Sequence, residues 1–180
     1  MPYLRPIITD GHPTLRRVAK AVDPKEIGDP LFQQLLDDMF HTMYEAPGIG
    51  LAAPQINVPK RIFVIDLQDE EEAFGPFVMI NPKFILTEGE MSSIEGCLSV
   101  PGMIGDITRF EKVVCAGLDR HGKRYDITGE KNLFARCLQH EMDHLNGVLY
   151  VDTAQNIRPA ATDEEQAALA ASEAEGSLSA

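Results

Sequence analysis

The stretch QHEMDHLNG, residues 139–147, constrains this chain more than any other. His140 and His144 are four residues apart, so on a helix they lie about 40° apart around the axis and roughly one turn along it. Two imidazoles placed this way can chelate one cation. Apolar residues at Leu133, Phe134, Leu138 and Leu145 give the surrounding segment, Glu130 to Leu145, the pattern of a helix with a side to bury. Asn146-Gly147 supplies a left-handed stop. A helix of this kind belongs inside a fold, with the other elements wrapped over it.

Those other elements are legible in outline. Pro30 to Glu45 carries Leu31, Leu35, Leu36, Met39, Phe40 and Met43 at amphipathic helical spacing. Asp29-Pro30 starts that helix, and Ala46-Pro47-Gly48 ends it. RIFVIDL (Arg61 to Leu67) is a β-branched run expected to be a buried strand. An acidic loop, Asp69 to Glu72, precedes a strand at Phe77 to Ile80, and Asn81-Pro82 predicts a turn. FILTEGE, EGCLSV and FEKVVCAGLD follow as strands, and Gly122 predicts a hairpin into KRYDIT. VLYV, after the second helix, adds a short strand. The expected fold is α+β: mostly antiparallel strands packed around a central helix carrying HEMDH, with an N-terminal amphipathic helix. Residues 1–158 form one catalytic domain, and 159–180 are an acidic Ala/Glu-rich tail, helical or disordered.

Composition narrows the function classes. At 180 residues the chain fits a single core. No apolar run approaches the roughly 18–20 residues needed to cross a membrane. The start, MPYLRPIITDGHP, lacks the apolar core of a secretion signal, so a cytoplasmic location is expected. A net charge of −12 argues against nucleic-acid binding, which relies on neutralising phosphates. Five of the acids fall in the tail, and the remainder is still acidic. Cys97, Cys115 and Cys137 are odd in number and widely spaced, so a disulfide framework is not expected.

The chemistry centres on HEMDH. Glu141 projects about 100° round from His140, beside the chelating pair, where its carboxylate can take a proton from an activated water without ligating the metal. HExxH alone also occurs on solvated helix faces. The apolar flanks count against that, and so does a third ligand, Cys97 in EGCLS. A catalytic site needs three protein ligands and an open position, and Cys-His-His suits Fe²⁺ and Zn²⁺ alike. Cys115 is expected to be a small core residue. Cys137 shares a helix face with both histidines and, with Leu133, is expected to form an apolar wall. In GIGLAAPQ, the small residues Gly48, Gly50, Ala52 and Ala53 let a peptide ligand approach closely, and Gln55 offers a neutral amide to an oxyanion.

GIGLAAPQ, EGCLS and HEMDH, in this order and at these separations, resemble the three signature segments of the peptide deformylases, enzymes that remove the formyl group from the N-terminal formylmethionine of new polypeptides. The resemblance covers about residues 5 to 155, including GHPTLRRVA near the start. It implies that Cys97, His140 and His144 bind one divalent metal, Fe²⁺ in the cell and Zn²⁺, Ni²⁺ or Co²⁺ in preparations. It implies that Glu141 is general base and then general acid, and that Gln55 and the Leu98 N–H hold the oxyanion. Ile49, Leu133 and Cys137 match positions that wall the methionine pocket. The implied partners are N-formylmethionyl peptides. Two departures stand out. Some members carry Arg seven positions after the ligand cysteine, where this chain has Ile104, and many end in a basic ribosome-docking helix, where this tail is acidic.

Three other readings compete with this one. A zinc endopeptidase of the HExxH type would need a further His or Glu after the helix, and no His follows His144. A non-catalytic metal-stabilised interaction module would not need Glu141 or Gln55. A Cys97-nucleophile hydrolase would survive chelation. One further expectation concerns Glu95, two residues before Cys97 and on the same strand face. A carboxylate there is costly to desolvate unless paired. Arg109, at the family position for such a partner, is expected to pair with it and fix the EGCLS strand, rather than to be a solvated strand-end residue.

Overall fold

The computed structural model describes residues 1–68 and 75–161. The acidic loop Asp69 to Glu72 and the tail from residue 162 onward lie outside the described residues. Two helices, α1 (Pro30–Glu45) and α2 (Leu133–Leu145), flank a five-stranded antiparallel sheet. That sheet has the order β1 (Gly50–Ala52), β2 (Ile62–Ile65), β3 (Phe77–Glu88), β6 (Lys112–Leu118), β7 (Arg124–Glu130). A second, three-stranded sheet places β5 (Val100–Arg109) between β4 (Met91–Cys97) and β8 (Gln155–Pro159). The fold is α+β with antiparallel pairing throughout the named strands. No helix among the described residues is long and apolar enough to cross a membrane.

Strand β2 shows how the core is divided. All four of its residues are buried because both faces of the sheet are covered. Ile62 and Val64 join Leu36, Met39 and Met43 of α1 on one side. Phe63 and Ile65, one residue out of phase, join Phe134, Leu138, Met142 and Leu145 of α2 on the other. Each fully buried side chain of this kind stabilises the fold by about 1.5–3 kcal/mol relative to exposure. The HEMDH helix is therefore seated on one face of the large sheet, and the small sheet brings Cys97 up to it.

Four details depart from the sequence reading. Asn81-Pro82 is not a turn between two strands but a bulge within β3, with Asn81 at φ 52°. The Asn81 side chain accepts from Val22 N–H and donates to Val22 C=O, at 2.8 and 2.9 Å, so it pairs like a piece of backbone. VLYV is not a strand. Tyr150–Asp152 is a 3-10 turn, closed by Leu149 N–H donating to the Asp152 carboxylate. Strand β5 was missed because Pro101, Gly102 and Gly105 look like breakers. Gly105 is there for close approach, since a Cβ on it would lie 2.9 Å from the Ala154 Cβ. The boundary expected after residue 158 falls inside β8, and Ala160 N–H still donates to Gly102 C=O.

Candidate metal centre and active site

Helix α2 begins where the Asn132 side chain accepts from Ala135 N–H and ends at Gly147, φ 75°, where any Cβ would meet the backbone of Arg16 at 2.8 Å. Its register turns Phe134, Ala135, Leu138 and Leu145 into the core and His140, Glu141 and His144 towards the end of β4. Buried Gln139 ties the helix to the small sheet, accepting from Phe110 N–H at 2.8 Å and donating to Phe110 C=O at 3.0 Å.

The Cys97 thiol and one ring nitrogen from each of His140 and His144 all lie within 4.8 Å of one another. His144 Nε2 is 3.2 Å from Cys97 Sγ, and the two imidazoles stand nearly perpendicular, 78° apart in plane. One sulfur and two nitrogens converging on one point, with a face left open, form a donor set that fits a catalytic divalent metal. His140 Nδ1 is 3.0 Å from Glu95, so a proton on Nδ1 leaves Nε2 free as a ligand. Burial lowers the proton affinity of both rings. At His140, hydrogen bonds with Cys97 and Glu95 outweigh it and raise the pKa, whereas at His144 the nearby His140 and Arg109 charges lower it further.

Behind this set the charges are closely paired. Arg109, only 8% exposed, donates from Nε and one Nη to the two Glu95 oxygens at 2.9 and 2.7 Å. Its other Nη meets Asp143 at 2.6 Å. Burial pushes the Glu95 carboxyl up, but hydrogen bonds from Arg109 and His140 prevail and hold it at about 2.

In front lies a pocket of about 570 Å³. Gly48, Ile49 and Gly50 line one wall, Leu98 and residues 100–104 another, and Leu133, Cys137, His140 and Glu141 of α2 a third. Gly50 is needed for space: a Cβ there would press on the Glu141 carboxylate and come within 2.9 Å of Cys137 Sγ. Glu141 is 2% exposed, its Oε2 has no hydrogen-bond partner, and burial raises its pKa to about 7. Gln55 is equally buried. Its Oε1 accepts from Ala52 N–H at 2.8 Å, which aims Nε2 at Ser99 Oγ (3.2 Å) and Cys97 Sγ (3.6 Å). Cys137 is buried, and burial holds its thiol well above its usual pKa. Cys115 is fully buried in the core, away from the pocket.

A family model for polypeptide deformylase matches residues 4–160. The chain belongs to the polypeptide deformylase family. It is 50% identical over 149 residues to peptide deformylase 2 of Xanthomonas campestris pv. campestris, covering 83% of this chain and 86% of that one. Among solved structures, the Legionella pneumophila peptide deformylase superposes with a TM-score of 0.78 at 45% identity, over 86% of this chain and 88% of that one. The Synechococcus elongatus peptide deformylase in complex with actinonin gives the same TM-score and identity over 84% and 81%. The chain is thus a hydrolase of the peptide deformylase family.

Within this deformylase scaffold the structure gathers the expected residues around one pocket, with Arg109 behind it. Leu133 differs in kind. It is 42% exposed, a rim residue and not part of the buried helix face. Sequence reasoning missed Asp143, Ser99, Arg136 and the β5 wall. Asp143 had a signal, since it stands three residues after His140 and shares its side of the helix. Ser99 and the β5 residues had none, because nothing in the sequence says that the chain doubles back after Cys97.

Proposed function

We propose that this chain removes the N-formyl group from the formylmethionine of nascent polypeptides, with one divalent metal, Fe²⁺ in the cell, held by Cys97, His140 and His144. The observation that carries this reading is the convergent Cys-His-His donor set beside a buried, unpartnered Glu141 carboxylate. Bound there, a divalent ion would supply Lewis acidity and lower the pKa of water towards about 7. Glu141 takes the proton that water gives up as it adds to the formyl carbon, and then delivers it to the amine nitrogen. The C–N bond breaks, leaving formate and a free N-terminus. As the formyl carbon becomes tetrahedral, its oxygen gains charge, and Gln55 Nε2 and the Leu98 N–H donate to it. Ile49, Leu133 and Cys137 give the methionine side chain an apolar wall, while Gly48 and Gly50 let the substrate backbone come close. The actinonin complex of the Synechococcus elongatus relative supports a peptide-like occupant. The absence of a basic segment in the tail sequence argues against docking to the ribosome through it, although the substrates arise there, in the cytoplasm.

Formate release from formyl-Met-Ala-Ser, measured anaerobically beside acetyl-Met-Ala-Ser and denatured casein, tests the proposal. Turnover of the formyl peptide alone is expected. Cleavage of casein, or no formate from a metal-loaded sample, would overturn it in favour of an endopeptidase or a non-catalytic module.

A further inference from the structure

Arg136 is the one residue in the pocket lining whose chemistry the proposed reaction leaves unused. It stands four residues before His140 on α2, between the rim at Leu133 and the floor at Cys137. Among the described residues no other Lys or Arg lines the pocket. Its Nε is buried and has no hydrogen-bond partner. Every other arginine that is at least half-buried among the described residues has a partner. Arg5 meets Asp38, Arg61 the Leu145 carbonyl, Arg109 Glu95, Arg120 Asp37 and Arg158 Asp106. A half-buried guanidinium without one, facing a pocket, calls for an acceptor carried in by the ligand.

The guanidinium geometry says which acceptor. A carboxylate can bond two guanidinium N–H groups side by side, a paired geometry that a single carbonyl oxygen does not fill. Arg109 uses this side-on mode towards Glu95, at 2.9 and 2.7 Å. The methionine side chain takes the apolar wall, so a carboxylate reaching Arg136 comes from the residues that follow it. We propose that Arg136 is a specificity-determining residue whose guanidinium binds an acidic side chain at the second or third residue of the substrate. The net charge of −12 would by itself favour basic peptides, so an acidic preference would mark a local contact and not the overall field.

The inference rests on the deformylase reading, and its test separates the two. C-terminally amidated formyl peptides remove the terminal carboxylate as a rival acceptor. Formate release from formyl-Met-Ala-Ser-amide by the wild type tests the reaction itself. The ratio of kcat/KM for Glu over Gln, in formyl-Met-Glu-Ser-amide and formyl-Met-Ala-Glu-amide against their Gln counterparts, tests Arg136. The expected ratio is about fivefold at one of the two positions, carried mainly by KM. It should fall to about one in Arg136→Leu and to about twofold in Arg136→Lys, which keeps the charge but not the side-on fork. Metal content equal to wild type would show that the variants are folded. A wild-type ratio of one or less at both positions, or a ratio unchanged in Arg136→Leu, would overturn the proposal.

Discussion

The two sides of α2 treat polar groups in opposite ways. Behind the candidate metal site, Glu95, Arg109, Asp143 and His140 form a continuous chain of bonds, none longer than 3.0 Å. In front of it, Glu141 Oε2 and Arg136 Nε are buried with nothing to bond. A protein selected for stability alone would satisfy both sides, because each unsatisfied buried polar group costs about 1–3 kcal/mol. The rear network fixes geometry, while the front keeps groups free for a substrate and a proton.

Breaking the front at its centre should have the largest effect. Glu141→Gln preserves shape but cannot carry a proton, so turnover of formyl-Met-Ala-Ser should fall by about 10³–10⁴ with metal content unchanged. Loss of metal in that variant would make Glu141 a ligand instead. Breaking the rear should be felt first in stability. Arg109→Ala leaves Glu95 and Asp143 without their cation and should cost about 3–5 kcal/mol, read from urea unfolding. A shift below about 1 kcal/mol would make the pair ornamental. Gln55→Ala removes one oxyanion donor and should lower kcat by about 10²–10³, with KM little changed.

The smallest effect sharpens the contrast, because the two carboxylates should respond to pH in opposite senses. Burial raises Glu141 to about 7, above its unfolded value of about 4.3, so the folded chain holds that proton more tightly and loses stability as pH rises between these values. Glu95, held at about 2, contributes stability that is present above about 4.3 and is lost as pH falls towards 2. In the chelated protein at pH 8, Glu141→Gln should therefore raise stability, by on the order of 1–3 kcal/mol, and the gain should vanish near pH 4. Equal stability of wild type and variant at pH 8 would remove the strain assigned to the front.

The sequence disclosed the helices and the donor set better than the small sheet. Pro30–Glu45 was readable because its cap and apolar spacing are local, and HEMDH because its geometry is fixed by one helical turn. Strand β5 was hidden by Pro101, Gly102 and Gly105, which look like breakers, and the close approach of Gly105 to Ala154 and β8 is displayed only by the folded chain. Glu95 and Arg109 could be matched as opposite charges, but the same carboxylate's bond to His140 could not, because it joins a strand to a helix 45 residues away. Asn81 misled for a related reason. Its side chain replaces a backbone partner, so a turn signal became a bulge.

The account turns on whether Cys97, His140 and His144 hold a metal that the reaction needs. Metal analysis and formyl-Met-Ala-Ser turnover on one anaerobically purified sample, before and after chelation and after adding back Fe²⁺, test this most directly. The expected result is about one divalent ion per chain, loss of turnover when it is removed, and recovery when it is restored. Full activity in the metal-depleted chain would contradict it.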